Sequence, residues 1–297
     1  FTIPCSNCIQ CRLNQSNEWA IRCYHESTEH DRNMFLTLTY AIDPISLNKT
    51  DIKVFLKKLQ RRFPNQVRYF QCGEYGGKFG RPHHHVIIFG INHLDFKDVT
   101  RGKTSENGGK TYLSKTLDDL WSHGQTNIGE VNEKSIRYLT GYVVKKITGR
   151  NQKSHYGDKL PEFITMSRGS KKSGTKGIGY KYYEKNKEDM FKHDLTRING
   201  KAHSIPKYYN SHYSLDNPDQ MSIIKDVRIK KALSQCTFDY KKEVKLSGLR
   251  LAKRKLLNQY GQFLDKKRGT LVREEKLKMK IEEKERQQNA IRNLQCI

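Results

Sequence analysis

Arg81-Pro82-His83-His84-His85-Val86-Ile87-Ile88-Phe89 is the stretch whose reading decides the fold. The branched and aromatic residues after Pro82 read as a β-strand. Side chains alternate across a strand, so His83 and His85 share one face, about 6.6–6.8 Å apart, and His84 takes the other. Two imidazoles at that spacing can converge on one metal ion. Upstream, Gln66 to Cys72 reads as a second strand, and the glycines at 73, 76, 77 and 80 mark a turn. The resulting short hairpin folds Glu74 back over the histidine pair. Two nitrogens and one oxygen leave positions on Mg2+ or Mn2+ open to phosphate oxygens and water. The ordinary alternative is a solvent-facing, His-rich strand.

Working outward, residues 33–40 (NMFLTLTY) alternate and form another strand, preceded by a helix over about 12–27. Capping residues between Ser46 and Thr50 introduce an amphipathic helix from Ile52 to Leu59 that ends near Pro64. Residues 101–111 read as a polar loop. Leu113, Leu117, Leu120 and Trp121 suggest a short helix closed by Gly124, and Thr126 to Val131 a fourth strand. A helix then spans Glu133 to Ile147. The order α-β-α-β-β-α-β-α predicts an α+β domain, with a central antiparallel sheet flanked by helices. Residues 148–180 are rich in Gly, Ser and Lys, and only Phe163 to Met166 has a buried character there. From about 225 onward the chain reads as basic helices with solvated faces.

Lys and Arg number 56 against 31 Asp and Glu, a net charge of +25. Such an excess favours a polyanionic partner, nucleic acid before an anionic membrane surface. No apolar run approaches the ~18 residues of a membrane span. The beginning, Phe1-Thr2-Ile3-Pro4-Cys5, lacks the basic and apolar regions of a secretion signal. Seven cysteines, an odd number clustered toward one end, argue against a secreted disulfide framework and for a reducing cytoplasm. Cys5, Cys8 and Cys11 have Cys-x2-Cys spacing, and Cys23 or His25 would supply a fourth ligand for structural Zn2+. Reduced thiols packed at a helix start are the alternative.

On the helix over 133–147, residues at i, i+4 and i+7 share a face, so Tyr138, Tyr142 and Lys145 form a stripe of two phenols and an ammonium. Alone, such tyrosines are ordinary core aromatics. Beside a metal site they suggest covalent chemistry on a phosphodiester. A phenol with a pKa of about 10 is a weak nucleophile at neutral pH, and Lys145 near the developing charge would compensate. Because Tyr142 is nearer to Lys145 and Lys146 along the helix, it is expected to attack first and Tyr138 second; the alternative is that the two are interchangeable and alternate.

These residues together resemble the HUH superfamily of rolling-circle replication initiators, most of all those of gokushovirus-type microviruses, phages with circular single-stranded DNA. Phe35-Leu36-Thr37-Leu38-Thr39 resembles the first family motif. His83-His84-His85 resembles the His-hydrophobe-His metal motif, with His84 departing from the apolar middle residue. Tyr138 and Tyr142 resemble the two-tyrosine third motif, Tyr142 with Lys145 fits the Tyr-x-x-Lys form, and Glu74 matches an acidic third ligand. Pro4-Cys5 through Trp19, Gly80-Arg81-Pro82, and Met166-Ser167 with Gly177-Ile178-Gly179 resemble the gokushovirus version. The resemblance covers about residues 4–185.

The resemblance implies an HUH endonuclease fold over residues 1–185, including the cysteine cluster, and a basic, mostly helical accessory region over 186–297. It implies a metal-dependent nickase and strand transferase using Mg2+ or Mn2+, in which a tyrosine cuts viral origin DNA and stays attached as a 5'-phosphotyrosine. Arg81 and Lys146 are expected to contact nucleic acid. No Walker motif is present, so unwinding and synthesis would need a host helicase and DNA polymerase in the cytoplasm of a bacterial host. The alternatives are a relaxase or transposase of the same superfamily, or a non-catalytic nucleic-acid-binding protein.

Overall fold

In the computed structural model, the described residues are 5–234, except 7, 78, 105–108, 148–151, 170–173 and 175. Most of the basic tail, with Cys236 and Cys296, lies outside them. The chain divides into two compact units, one running through Asn210 and the other beginning at Ser211. The boundary read at residue 185 falls inside the helix Tyr180–His193, and the first unit also takes in residues 186–210. In the second unit, residues 218–234 are helical and expose Ile223, Val227 and Leu233.

The first unit is α+β, as the sequence predicts. Strands β1 (Asn33–Thr39), β2 (Arg68–Tyr75), β3 (Pro82–Phe89), β4 (Val99–Arg101), β5 (Tyr112–Ser114), β6 (Thr126–Gly129) and β7 (Phe163–Met166) form one sheet. Its order is β4-β5-β6-β1-β3-β2-β7, and every pairing is antiparallel. Helices α1 (Ile9–Thr28), α2 (Lys49–Arg62), α3 (Lys115–Trp121), α4 (Glu133–Lys145), α5 (Gln152–Tyr156) and α6 (Tyr180–His193) accompany it.

Period-two alternation on the central strands builds two cores. Met34, Leu36 and Leu38 of β1 and Val86 and Ile88 of β3 face α2 and α3, where Phe55, Leu59 and Trp121 fill one side. Phe35, Ile87 and Phe89 face the other way, onto Ala20 and Cys23 of α1 and Ile136, Leu139 and Tyr142 of α4. The sheet is thus covered by helices on both faces, which is why β3 reads as a nearly continuous apolar run after its histidines.

Three local features differ from the sequence expectation. On either side of the residues read as a polar loop, β4 and β5 pair as strands of three residues each, too short to show alternation. Helix α3 is closed by Ser122, in the left-handed conformation, rather than by Gly124. A two-stranded sheet, β8 (Thr196–Ile198) with β9 (Lys201–His203), turns on Asn199-Gly200, both at positive φ. That dipeptide is the strongest short hairpin signal a sequence offers, and it marks the reason residues beyond 185 belong with the first unit. Asn199 contacts Tyr24 of α1 and Glu133 of α4, and Thr196 lies 3.3 Å from the buried His25.

Candidate metal and tyrosine site

Register places the three expected ligands together. Glu74 of β2 pairs directly with His83 of β3, and His85 lies opposite Cys72 on one side and Thr37 of β1 on the other. All three side chains point to the α1/α4 face. Glu74 Oε1 is 2.7 Å from His83 Nε2 and 3.1 Å from His85 Nε2. An octahedral ion with bonds of about 2.1 Å sets adjacent ligands about 3 Å apart, close to both carboxylate–imidazole separations here. All three ligand atoms lie within 4.8 Å of one another.

The second nitrogen of each imidazole is also held. His83 Nδ1 lies 3.0 Å from the Arg81 carbonyl oxygen, and His85 Nδ1 lies 3.1 Å from the Thr37 hydroxyl. Such outer partners fix ring orientation and leave Nε2 aimed at the cluster. Thr37 is the residue that sequence reading missed, although its place two residues beyond Phe35 on an alternating strand puts it on the His85 face.

Charge is balanced inside the cluster. Burial works to raise the Glu74 carboxyl, but hydrogen bonds from His83 and His85 win and hold it down to about 2. Burial works to lower His83, yet the Glu74 carboxylate leaves it raised above the ordinary imidazole value. For His85 burial prevails, and its pKa is lowered.

The tyrosine helix α4 lies over this face, started by a capping box between Asn132 and Ser135. Tyr138 is partly exposed, and its hydroxyl lies 3.3 Å from His85 Nε2. Tyr142 is 2% exposed, its ring stacked on His85 at 5.7 Å between centroids. Burial, aided by the nearby Glu74 charge and Tyr138, pushes the Tyr142 phenol well above its usual range. Lys145 Nζ is 3.5 Å from Glu74 Oε2, 3.7 Å from the Tyr142 ring centroid and 5.8 Å from that of Tyr138. The ammonium thus stands closer to the Tyr142 ring than to that of Tyr138, as the helical spacing predicts.

His84 occupies the opposite face and is fully buried rather than solvent-facing. It packs edge-on against Trp121 and Phe163, and its Nε2 lies 3.2 Å from the Tyr40 hydroxyl. Burial, reinforced by His83 and His85, lowers its pKa to about 3, so it is a neutral core residue. Gly73 makes room for it: a Cβ there would stand 2.9 Å from the Phe163 ring and 3.1 Å from His84 Nδ1.

Of the remaining expected residues, Arg81 is largely exposed and pairs with Asp43 at 3.1 Å. Lys146 caps the end of α4, where its carbonyl accepts a hydrogen bond from Arg12. Cys5, Cys8 and Cys11 gather at the start of α1. Cys23 does not join them. It is a buried core residue twelve positions further along α1 than Cys11, about 18 Å at 1.5 Å per residue. His25 is likewise buried elsewhere, against Tyr182 and Tyr209.

Residues 33–147, from β1 to just beyond α4, match the family of replication-associated proteins of the ORF2 type. The replication-associated protein VP4 of Bdellovibrio phage phiMH2K is 32% identical over 286 residues, which cover 91% of this chain and 82% of that protein. The replication-associated protein ORF2 of Spiroplasma virus 4 is 31% identical, over 78% of this chain and 74% of the relative. For the replication-associated protein ORF4 of Chlamydia phage 1 the identity is 29%, over 70% and 53% respectively. No solved structure matches the chain. At about 30% identity over the greater part of its length, the chain belongs to the ORF2-type replication-associated protein family, as a replication initiator of the microvirus type.

Proposed function

We propose that this protein cuts and rejoins viral origin DNA through a tyrosine, to begin and end rolling-circle replication of a circular single-stranded genome. The observation that supports this best is the position of the Tyr138 hydroxyl, 3.3 Å from His85 Nε2 and beside the Glu74–His83–His85 cluster. A divalent ion held by those three side chains, Mg2+ or Mn2+, supplies Lewis-acid polarisation of a scissile phosphate.

The chain's own residues do the rest. The Tyr138 oxygen attacks phosphorus, the bond to the 3'-oxygen breaks, and the products are a 5'-phosphotyrosine and a free 3'-hydroxyl. The phenolic proton leaves as the phosphodiester forms, and the departing 3'-oxygen takes one up, so each transfer is neutral overall. Lys145 offsets negative charge building on phenolate and phosphate. Because Tyr138 is partly exposed and Tyr142 is buried with a raised pKa, we assign the first attack to Tyr138. Tyr142 then acts in the closing transfer, after α4 shifts enough to present it. Arg81 and Lys146 contact the DNA backbone, which gives salt-dependent affinity. Synthesis and unwinding fall to host polymerase and helicase in the bacterial cell.

The test is incubation of the full chain with single-stranded viral origin DNA and Mn2+, followed by denaturing electrophoresis. A protein–DNA band that survives denaturation and disappears in Tyr138→Phe supports the reading. Binding without any covalent band would make the protein a non-catalytic DNA-binding protein.

A further inference from the structure

Two kinds of cysteine occur in the described residues. Cys23 and Cys72 are fully buried in the core beneath α1 and behave as small hydrophobes. Cys5 and Cys8 are exposed and Cys11 is half-buried, yet their three sulfurs lie within 4.8 Å of one another. Core packing does not explain thiols that core packing leaves in water.

The local backbone draws these sulfurs together. Ser6 takes a left-handed conformation, with φ 61°, and turns Cys5 back toward the helix. The Cys8 amide then donates to Cys5 Sγ at 3.2 Å. Cys8 is the N-cap of α1 and Cys11 lies in its first turn, so positions three apart bring the second and third sulfurs to one side. An amide donating to sulfur between the two cysteines of a Cys-x2-Cys turn favours sulfur carrying negative charge.

We propose that Cys5, Cys8 and Cys11 bind one zinc ion as thiolates. Four-coordinate zinc with Zn–S bonds of about 2.3 Å sets its sulfurs about 3.8 Å apart, within the observed spread. An iron–sulfur cluster, in which each cysteine ligates a different iron, needs its thiolates spread wider. A disulfide would use two sulfurs and strand the third. Three thiolates on a divalent ion carry one net negative charge. They sit at the positive end of the 20-residue helix α1, whose first turn has no acidic residue of its own. Among the described residues no fourth ligand stands within the same group, so the fourth position takes water or a ligand from outside them.

The ion has a mechanical consequence. Arg12 directly follows Cys11, and its guanidinium donates to the carbonyl oxygens of Val144 and Lys146 at the end of α4. A metal that locks the first turn of α1 thereby locks Arg12, and through it the last turn of the helix carrying Tyr138, Tyr142 and Lys145. The metal assignment stands apart from the proposed chemistry; only this coupling gains its meaning from it.

The full chain is purified anaerobically with reductant, dialysed against a weak chelator and assayed for metal by mass spectrometry. One zinc per chain is expected in the wild type and in the His83→Ala/His85→Ala variant, and none in Cys5→Ser/Cys8→Ser/Cys11→Ser. Should the triple variant fail to fold, cobalt exchanged into the His83→Ala/His85→Ala protein gives an intense sulfur-to-cobalt charge-transfer band. Zinc that follows the histidines instead of the cysteines, iron with sulfide, or metal-free thiols that all react with a thiol reagent would each overturn the site. Hydrogen exchange reads the coupling: stripping zinc raises exchange of the amides near residues 142–146 several-fold, and unchanged exchange there refutes it.

Discussion

The two faces of β3 carry the same residue type to opposite ends. His83 and His85 meet a carboxylate on the α1/α4 side, while His84, between them in sequence, is sealed among Trp121, Phe163 and Tyr40 on the other. One face holds ionisable groups that satisfy one another, and burial there sharpens their interaction. On the other face burial outweighs the Tyr40 hydroxyl beside the His84 imidazole and removes its charge. Identity of the side chain thus says little about its chemistry, and the parity of its position says nearly everything.

The largest test of that contrast is a pair of substitutions. His85→Ala is expected to lower covalent adduct formation more than ~100-fold, beyond the 10–100-fold typical of outer partners, with little change in DNA affinity at fixed salt. His84→Ala is expected to leave adduct yield at saturating metal within a few-fold, and to lower unfolding free energy by about 2 kcal/mol through the cavity it opens. The converse pattern, with His84→Ala inactive yet stable, would invert the strand register.

A smaller difference separates the tyrosines on the ligand face. Tyr138→Phe is expected to abolish cleavage of a single-stranded origin oligonucleotide, and Tyr142→Phe to retain first cleavage but lose rejoining. Equal loss of first cleavage in both would break the burial argument. Smaller still is Thr37→Val, which keeps shape and removes the hydroxyl beside His85 Nδ1. About a tenfold rise in the Mn2+ concentration needed for half-maximal adduct is expected.

The least effect is on acid stability. His84 and His25 are held to about 3 and about 4 when folded, chiefly by burial, below the ordinary 6.5. The unfolded chain takes up protons below about 6.5 that the folded chain refuses, so their stabilisation is full above that pH and falls as pH drops toward 4. His84→Met should flatten the decline in melting temperature between pH 7 and pH 5. An unchanged slope would mean His84 is not neutral in the fold.

How far the sequence revealed this depended on the range over which each signal acts. Alternation along β3 and the turn before it were local, so Glu74, His83 and His85 could be grouped from residue order alone. The tyrosine stripe was local too, but which phenol lies under α4 depends on how that helix sits on His85, a tertiary fact. The same limit hid the burial of His84, since alternation assigns a face without saying what covers it. Cys23 illustrates a different failure: spacing suggested a ligand, while a rigid helix carried it about 18 Å from the others. The β8–β9 hairpin has its turn signal in Asn199-Gly200, but strands of three residues are too short to show alternation.

The ligand trio lies on two strands joined only by residues 76–81, and β1 and α2, which support it, are upstream of residue 89. Tyr138 follows His85 by 53 positions. Closing a short loop loses little chain entropy, whereas docking α4 and pairing β6 with β1 must await distant sequence. As the polypeptide leaves the ribosome from its N-terminal end, it completes its carboxylate and imidazoles well before Tyr138 and Tyr142 emerge. The order of synthesis thereby sets down the carboxylate and both imidazoles before the helix that carries Tyr138 and Tyr142 is made.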